Sequence, residues 1–256
     1  MTNDQGVGAR LAAIAEAAGA VILPFWRTGV TVDVKADDSP VTEADRRGEA
    51  MILQALAADF PDVAVVAEEA SAAAGGPPKA IASRFFLVDA LDGTRAFVRG
   101  EAHFTVNIAL IERGRPIAGA VMAPATGQVW FTAPQGALKR QAGEAGGSLV
   151  RVRSPSARLV ALTSSAIKPE QEARLRERYG FSERQGMGSS LKLCVVAEGG
   201  ADLYPRHGPT MEWDIAAGHA VLEAAGGSLT TPEGEPLGYG KADRGFENGW
   251  FVARGG

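Results

Sequence analysis

A chain of 256 residues, 46% hydrophobic and 22% charged, allows one large domain or two smaller ones with ample core. A net charge of −4 argues against a polymeric nucleic-acid partner, which would want a basic face, but leaves open a small anionic substrate if bound cations reverse the local charge. The single cysteine, Cys194, excludes an internal disulfide and fits a reducing cytoplasm; its apolar surroundings at 191–196 mark it as a small buried hydrophobe.

Apolar side chains at Val7, Leu11, Ile14, Ala18, Val21, Ile22 and Phe25 predict a helix over 7–26, kinked or ended by Pro24. Val30, Val32 and Val34 alternate with polar residues and predict a short strand, followed by a turn at Asp37-Asp38-Ser39-Pro40. A second helix is predicted over 42–60, with Ile52, Leu53, Leu56 and Phe60 facing inward. A short strand over 64–67 ends at Glu68-Glu69, and 72–79, rich in Ala, Gly and Pro, is a surface loop. Arg84-Phe85-Phe86-Leu87-Val88 reads as a buried strand, and strands over 104–112, 116–124 and 128–133 form an antiparallel meander. The Gly-rich stretch 141–148 divides the chain into an N-terminal part, 1–148, and a C-terminal part, 149–256. Beyond it come a strand over 159–164, helices over 169–179 and 189–198, an extended piece at 202–204, a helix over 213–225 closed by Gly226-Gly227, and a last strand over 248–253. Mixed strands and helices without strict alternation predict an α+β or layered α/β architecture. No segment reads as long and apolar enough to cross a bilayer, and the N-terminal stretch lacks the basic start of a signal peptide.

The most informative run is Asp89-Ala90-Leu91-Asp92-Gly93-Thr94, where the buried strand runs out into a turn. Open α/β sheets place ligands at such carboxyl ends. Two carboxylates three residues apart suit a hard cation such as Mg²⁺, which takes oxygen ligands. Gly93 lets the backbone approach a ligand, and Thr94 adds a hydroxyl that could orient a nucleophilic water. An ordinary Asp/Gly turn would look the same taken alone. Glu68 and Asp214 also sit at the edges of predicted elements, where sites collect. Two or more Mg²⁺ ions shared among Glu68, Asp89, Asp92 and Asp214 could clamp a phosphate ester and activate water. Asp214 could equally serve the helix dipole, and Glu68 could be a solvated strand end. Asp45, in Thr42-Glu43-Ala44-Asp45, fits both a capping box and a role holding a water on a metal. Lys35 could meet an anion or simply be solvated. His103, His207 and His219 follow no zinc-ligand spacing and read as surface or structural residues.

Taken together, Glu68-Glu69, Asp89 to Thr94, Trp213-Asp214-Ile215-Ala216-Ala217-Gly218 and the upstream Pro40-Val41-Thr42-Glu43-Ala44-Asp45 resemble the signatures of the inositol monophosphatase superfamily, in order and over nearly the whole chain. Within it, Phe104 to Leu110, Ser189-Ser190-Leu191-Lys192-Leu193-Cys194, Leu203-Tyr204-Pro205-Arg206 and Gly208-Pro209-Thr210 resemble the CysQ-type 3'(2'),5'-bisphosphate nucleotidase branch. The resemblance implies a layered αβαβα sandwich of the sugar-phosphatase type. It also implies a Mg²⁺-dependent, lithium-sensitive phosphomonoesterase using two or three ions, which converts adenosine 3',5'-bisphosphate to AMP and phosphate. Carried over by position, Glu68, Asp89, Asp92, Asp214 and the carbonyl of Leu91 are the implied metal ligands. Glu68, Asp45 and Thr94 are the implied catalytic residues. Gly93 and Thr94 are implied phosphate contacts, in a substrate set that also holds Glu68, Leu91, Asp92 and Asp214. Ala90 departs from the family, which usually has proline there. Lys192 and Arg206 are the candidates for receiving a second phosphate, because they lie in the two nucleotidase-like stretches.

Three alternatives accompany this reading: a sibling phosphatase for inositol, histidinol or fructose phosphates, a non-catalytic sensor of phosphonucleotides, and an interaction module. The expected partner is a small phosphonucleotide, with no nucleic-acid polymer and no integral membrane segment; a homodimer stays open. The expected setting is cytoplasmic, with loose association at the inner face of a membrane resting on family analogy alone.

Overall fold

The computed structural model describes residues 6–29, 31–34, 40–155 and 157–256. Lys35 and the Asp37 to Ser39 part of the expected turn lie outside the described residues.

Helix α1 (Val7–Thr28) is followed by β1 (Val32–Val34), β2 (Pro40–Thr42), α2 (Glu43–Asp59), β3 (Ala64–Ala67), α3 (Glu68–Ala73), β4 (Arg84–Asp92) and α4 (Thr94–Val98). Strands β5 (Thr105–Glu112), β6 (Arg115–Ala123), β7 (Gln128–Ala133), β8 (Gly136–Gln141) and β9 (Ser148–Val150) then run one after another. The rest of the chain mixes strands and helices: β10 (Val160–Thr163), α5 (Pro169–Tyr179), β11 (Glu183–Gly186), α6 (Leu191–Ala197), β12 (Leu203–Arg206), β13 (Thr210–Met211), α7 (Glu212–Ala224), β14 (Ser228–Thr230), β15 (Glu247–Asn248) and β16 (Phe251–Arg254).

A seven-stranded sheet runs β3-β4-β5-β6-β7-β8-β9 in space. Its strands β4 to β9 pair antiparallel through short connections, whereas β3 and β4 pair parallel because α3 carries the chain back. A five-stranded mixed sheet has the order β11-β10-β12-β16-β14. The alternation of β4 shows how the layers stack: Phe86 and Val88 face α1 and α2, while Phe85 and Leu87 face the opposite way, into a core with Leu193 of α6 and Val221 of α7. That second core also holds Leu162, Tyr204, Phe251 and Ala253 of the smaller sheet. On its far side Ala161, Leu203 and Val252 meet Leu175 and Tyr179 of α5. The order is therefore helix, sheet, helix, sheet, helix: the αβαβα sandwich. The central α7 is buried nearly all round, as an element squeezed between two sheets must be.

Four details differ from the sequence expectation. Pro24 does not end α1, which continues to Thr28; a proline this near the C-terminus removes one backbone bond, and the Thr28 hydroxyl donates to the Pro24 carbonyl at 3.0 Å. Contrary to the expectation that no segment could cross a membrane, α1 is long and apolar enough by length and composition. Half of its apolar stretch is buried, with Leu11, Ile14, Ala18 and Ile22 packed in the core, so its apolarity is that of an inner layer. Glu68 and Glu69 open a short helix, α3. The expected aspartate turn belongs to the end of strand β4.

Candidate active site

Asp89 and Asp92 are three residues apart on β4, and a regular strand would point them to opposite faces. The β4–β5 register shifts between them, and this irregularity brings both to one cleft of about 550 Å³. Glu68 enters it as the first residue of α3, and Asp214 as the third residue of α7. Leu91, Gly93 and Thr94 complete this wall. Gly93 has φ +94°, and a Cβ there would lie 2.8 Å from the His103 carbonyl oxygen, so only glycine fits the corner.

Backbone N–H groups aim the aspartates. Asp89 Oδ1 accepts from Leu91 N at 2.9 Å and Asp214 Oδ2 from Met211 N at 2.8 Å, while Asp92 Oδ2 accepts from Ser190 N. Asp214 thus sits in the first turn of α7, where the sequence allowed it to serve the helix dipole, and also lines the cleft. Ser190 is fixed in turn by a buried cluster: its hydroxyl lies 2.6 Å from Asn107 Oδ1 and 2.8 Å from Thr105 Oγ1. Thr105 and Asn107 lie in the nucleotidase-like stretch 104–110, but the sequence did not place them beside Ser190.

Asp45 closes the capping box and also reaches across to Thr94. Its Oδ2 accepts from Thr42 N and Thr42 Oγ1 at 2.8 and 2.7 Å, which closes the capping box. Its Oδ1 lies 3.2 Å from the Thr94 hydroxyl, which has the Leu91 carbonyl at 3.1 Å as its other acceptor. Burial raises the proton affinity of Asp45 against the hydrogen bonds from Thr42.

Burial, followed by the repulsion of the neighbouring acids, holds Asp89 and Asp214 well above the usual carboxylate range. Asp92 is pushed up to about 6, by burial first, with the Lys192 charge and the Ser190 N–H pulling it back. Asp89, Asp92 and Asp214 each give one oxygen to a backbone N–H, and no hydrogen bond to the other is formed among the described residues. Buried acids in this state call for protons or a cation. Among the described residues no three such side chains close round one point. The side chains offered to the cleft by Glu68, Asp89, Asp92 and Asp214 are all oxygen donors, the kind a hard cation takes.

Lys192 and Arg206 part company. Lys192 is buried; its ammonium donates to the carbonyls of Met187 and Ser189 and lies 4.9 Å from the Tyr204 ring centroid. Burial lowers its pKa to about 8. Arg206 ends β12 and donates from Nη2 to the Pro209 carbonyl at 3.1 Å, while its Nε is buried without a partner. It lines a second cleft, of about 500 Å³, with Arg174, Arg178, Tyr204, His207 and Trp250. Arg206 connects the two clefts: its charge reaches Asp92 and Asp214, and Pro209 lines the acidic one. His207, expected at the surface or in a structural role, stacks on Trp250 at 4.4 Å and 9° and meets the Tyr179 hydroxyl at 2.8 Å. Trp250 is 52% exposed. The resemblance had singled out Tyr204, Arg206 and Gly208 of this cleft, while Arg174, Arg178 and Trp250 went unread. Cys194 is buried with its thiol pKa pushed up by burial, as the sequence implied.

Comparison with known proteins agrees with this geometry. The chain is 41% identical over 228 residues to the 3'(2'),5'-bisphosphate nucleotidase CysQ of Escherichia coli K12, covering 88% of this chain and 91% of that one. It is 33% identical over 216 residues to a histidinol-phosphatase of Mycobacterium tuberculosis, covering 82% and 81%. The crystal structure of CysQ from Bacteroides thetaiotaomicron superposes with a TM-score of 0.80 at 33% identity, covering 100% of this chain and 99% of that one. The profile of the inositol monophosphatase family matches residues 4–252, and the chain belongs to that family.

Proposed function

We propose that this protein is a phosphomonoesterase that removes the 3'-phosphate of adenosine 3',5'-bisphosphate, giving AMP and inorganic phosphate, with two or three Mg²⁺ ions. The observation that carries the substrate choice is Arg206, whose Nε is buried without a partner beside a cleft walled by arginine and aromatic side chains. A simple sugar phosphate would leave that second cleft unused. A nucleoside bisphosphate would place its second phosphate at Arg206 and its base against the exposed face of Trp250. The relatives named as bisphosphate nucleotidases support the same reading.

In this mechanism Glu68, Asp89, Asp92, Asp214 and the Leu91 carbonyl would hold the ions, and bound Mg²⁺ would supply a water of lowered pKa and neutralise phosphate charge. Gly93 lets the phosphate approach the backbone. The Thr94 hydroxyl orients the attacking water, and Asp45 Oδ1, raised in proton affinity by burial, receives the proton through it. The ester P–O bond breaks as the water oxygen bonds to phosphorus; the ribose oxygen takes a proton from a solvent water and leaves as a hydroxyl, and Asp45 returns its proton to solvent. Lys192, two of whose N–H donors hold loop carbonyls, supplies charge behind the second phosphate and fixes the loop that carries Ser190.

Phosphate release from adenosine 3',5'-bisphosphate, AMP, inositol 1-phosphate and histidinol phosphate, with and without Mg²⁺, tests the assignment. The histidinol-phosphatase relative makes the last substrate the informative competitor. Arg206→Ala should raise KM for the bisphosphate about 10- to 100-fold, since a charge-assisted hydrogen bond is worth roughly 1.5–3 kcal/mol. It should leave a monophosphate nearly unaffected. An unchanged preference for bisphosphate would remove Arg206 from this role, and equal or faster turnover of histidinol phosphate would move the enzyme to that branch.

A further inference from the structure

Glu49 is 3% exposed and lies one helical turn beyond Asp45 on α2. Its Oε2 accepts from Glu69 N and its Oε1 from Ala70 N, each at 2.7 Å. These N–H groups belong to the first turn of α3 and have no partner within that helix. The residue before α3 is Ala67, which has no side-chain acceptor to cap it. Glu49 therefore does from another helix what a capping residue would do from the same chain segment. The anchored turn begins with Glu68, whose peptide bond carries the Glu69 N–H that Glu49 holds.

The spacing of Asp45 and Glu49 puts them on one face of α2. Asp45 secures the Thr94 hydroxyl, and Glu49 secures the turn that carries Glu68. Gly48 between them allows α2 to lie close to the sheet: a Cβ there would be 2.8 Å from Ile22 Cδ1 and 3.4 Å from Ala90 Cβ. Helix α2 thus braces two corners of the acidic cleft while lining none of it.

We propose that Glu49 is a positioning residue: by capping α3 with both carboxylate oxygens it sets Glu68 for cation binding. This rests on Glu68 being a cation ligand. Glu49→Gln keeps the size of the side chain but turns an NH₂ group toward one of the two backbone N–H donors. The segment must then shift, and Glu68 with it. Outer partners of metal ligands typically govern about 10- to 100-fold in metal affinity.

The test is calorimetric titration of the metal-stripped full chain with Mg²⁺, for wild type, Glu49→Gln, Glu68→Gln and the double variant, with urea unfolding of each. Glu49→Gln should weaken Mg²⁺ binding about 10- to 100-fold, and should add little once Glu68→Gln is present, because the two residues act through one ligand. In turnover it should raise the Mg²⁺ requirement, with kcat at saturating Mg²⁺ largely kept. If Glu68→Gln leaves the titration unchanged, the ligand reading itself fails. If Glu68→Gln weakens binding and Glu49→Gln does not, or if Glu49→Gln costs as much with Glu68 already replaced, the positioning role is overturned. Should Glu49→Gln not fold, Glu49→Asp carries the same comparison: a carboxylate one methylene shorter should fold and bind Mg²⁺ more weakly, and wild-type affinity there overturns the proposal.

Discussion

Thr94 and Asp45 meet although 49 positions separate them. The sequence offered each a local explanation, a residue after a glycine corner and a helix cap, and Asp45 is indeed a cap. A single hydrogen bond joins the pair, and the proposed proton path rests on it. Thr94→Ala should lower kcat about 100-fold or more, the usual share of a positioned acid–base group, with KM and the Mg²⁺ requirement little changed. Thr94→Ser keeps the hydroxyl and should retain most of the rate. Steady-state kinetics across a Mg²⁺ titration check this, and an active Thr94→Ala enzyme would remove the hydroxyl from the proton path. The aspartates at 89, 92 and 214 were legible because their chemistry is concentrated in short runs. Arg206 was legible only through resemblance, and its neighbours Arg174, Arg178 and Trp250 not at all, because a cleft assembled from α5, β12 and the approach to β16 leaves no local pattern.

The long elements were readable from periodicity, and α5 ran exactly as long as its pattern, because Pro169 starts it and Gly180 takes the left-handed conformation that stops it. The strands β8, β9, β11 and β14 were not readable. Gly136–Gln141 and Glu183–Gly186 carry few apolar residues in alternation, and it is pairing with β7 and β10 that makes them strands. Helix α7 was readable at 213–225, with Gly226-Gly227 marking its end, although two-sided burial of Trp213 to Leu222 leaves it little amphipathic contrast. The same squeeze makes it sensitive. A Cβ at Gly218 would lie 2.6 Å from Leu193 Cδ1 and 2.8 Å from its Cβ, where α6 crosses α7. Gly218→Ala should therefore destabilise by about 1–3 kcal/mol through overpacking, even though alanine favours helix. Urea unfolding measures it; a stabilised variant would mean that Leu193 gives way without strain.

For the whole molecule, the acidic cleft links stability to pH and to cations. Asp89, Asp92 and Asp214 have proton affinities above those of ordinary carboxylates, with Asp92 at about 6. A carboxyl raised in the folded state binds more protons there than in the unfolded chain. Its stabilising contribution is complete below the ordinary carboxylate pKa and is lost as pH rises through the raised value. The metal-free protein should therefore lose stability from these groups as pH rises from about 5 to about 7.5. Lys192, lowered to about 8, acts with the opposite sign but at higher pH, outside this interval. Cation binding reverses the loss, because Mg²⁺ takes the deprotonated carboxylates of the folded state. At a concentration 100 times its Kd a ligand of the native state adds roughly 2.7 kcal/mol. Protons compete for the same oxygens at lower pH, so the rise in melting temperature caused by Mg²⁺ should be larger near about pH 7.5 than near about pH 5. Removing one of the acids as Asp92→Asn should shrink both the loss in the metal-free protein and the gain from Mg²⁺. Thermal melts of the two proteins at the two pH values, with and without millimolar Mg²⁺, separate these effects. A Mg²⁺ shift that is the same at both pH values, or that survives Asp92→Asn intact, would mean that the stabilising cation sits elsewhere than on these carboxylates.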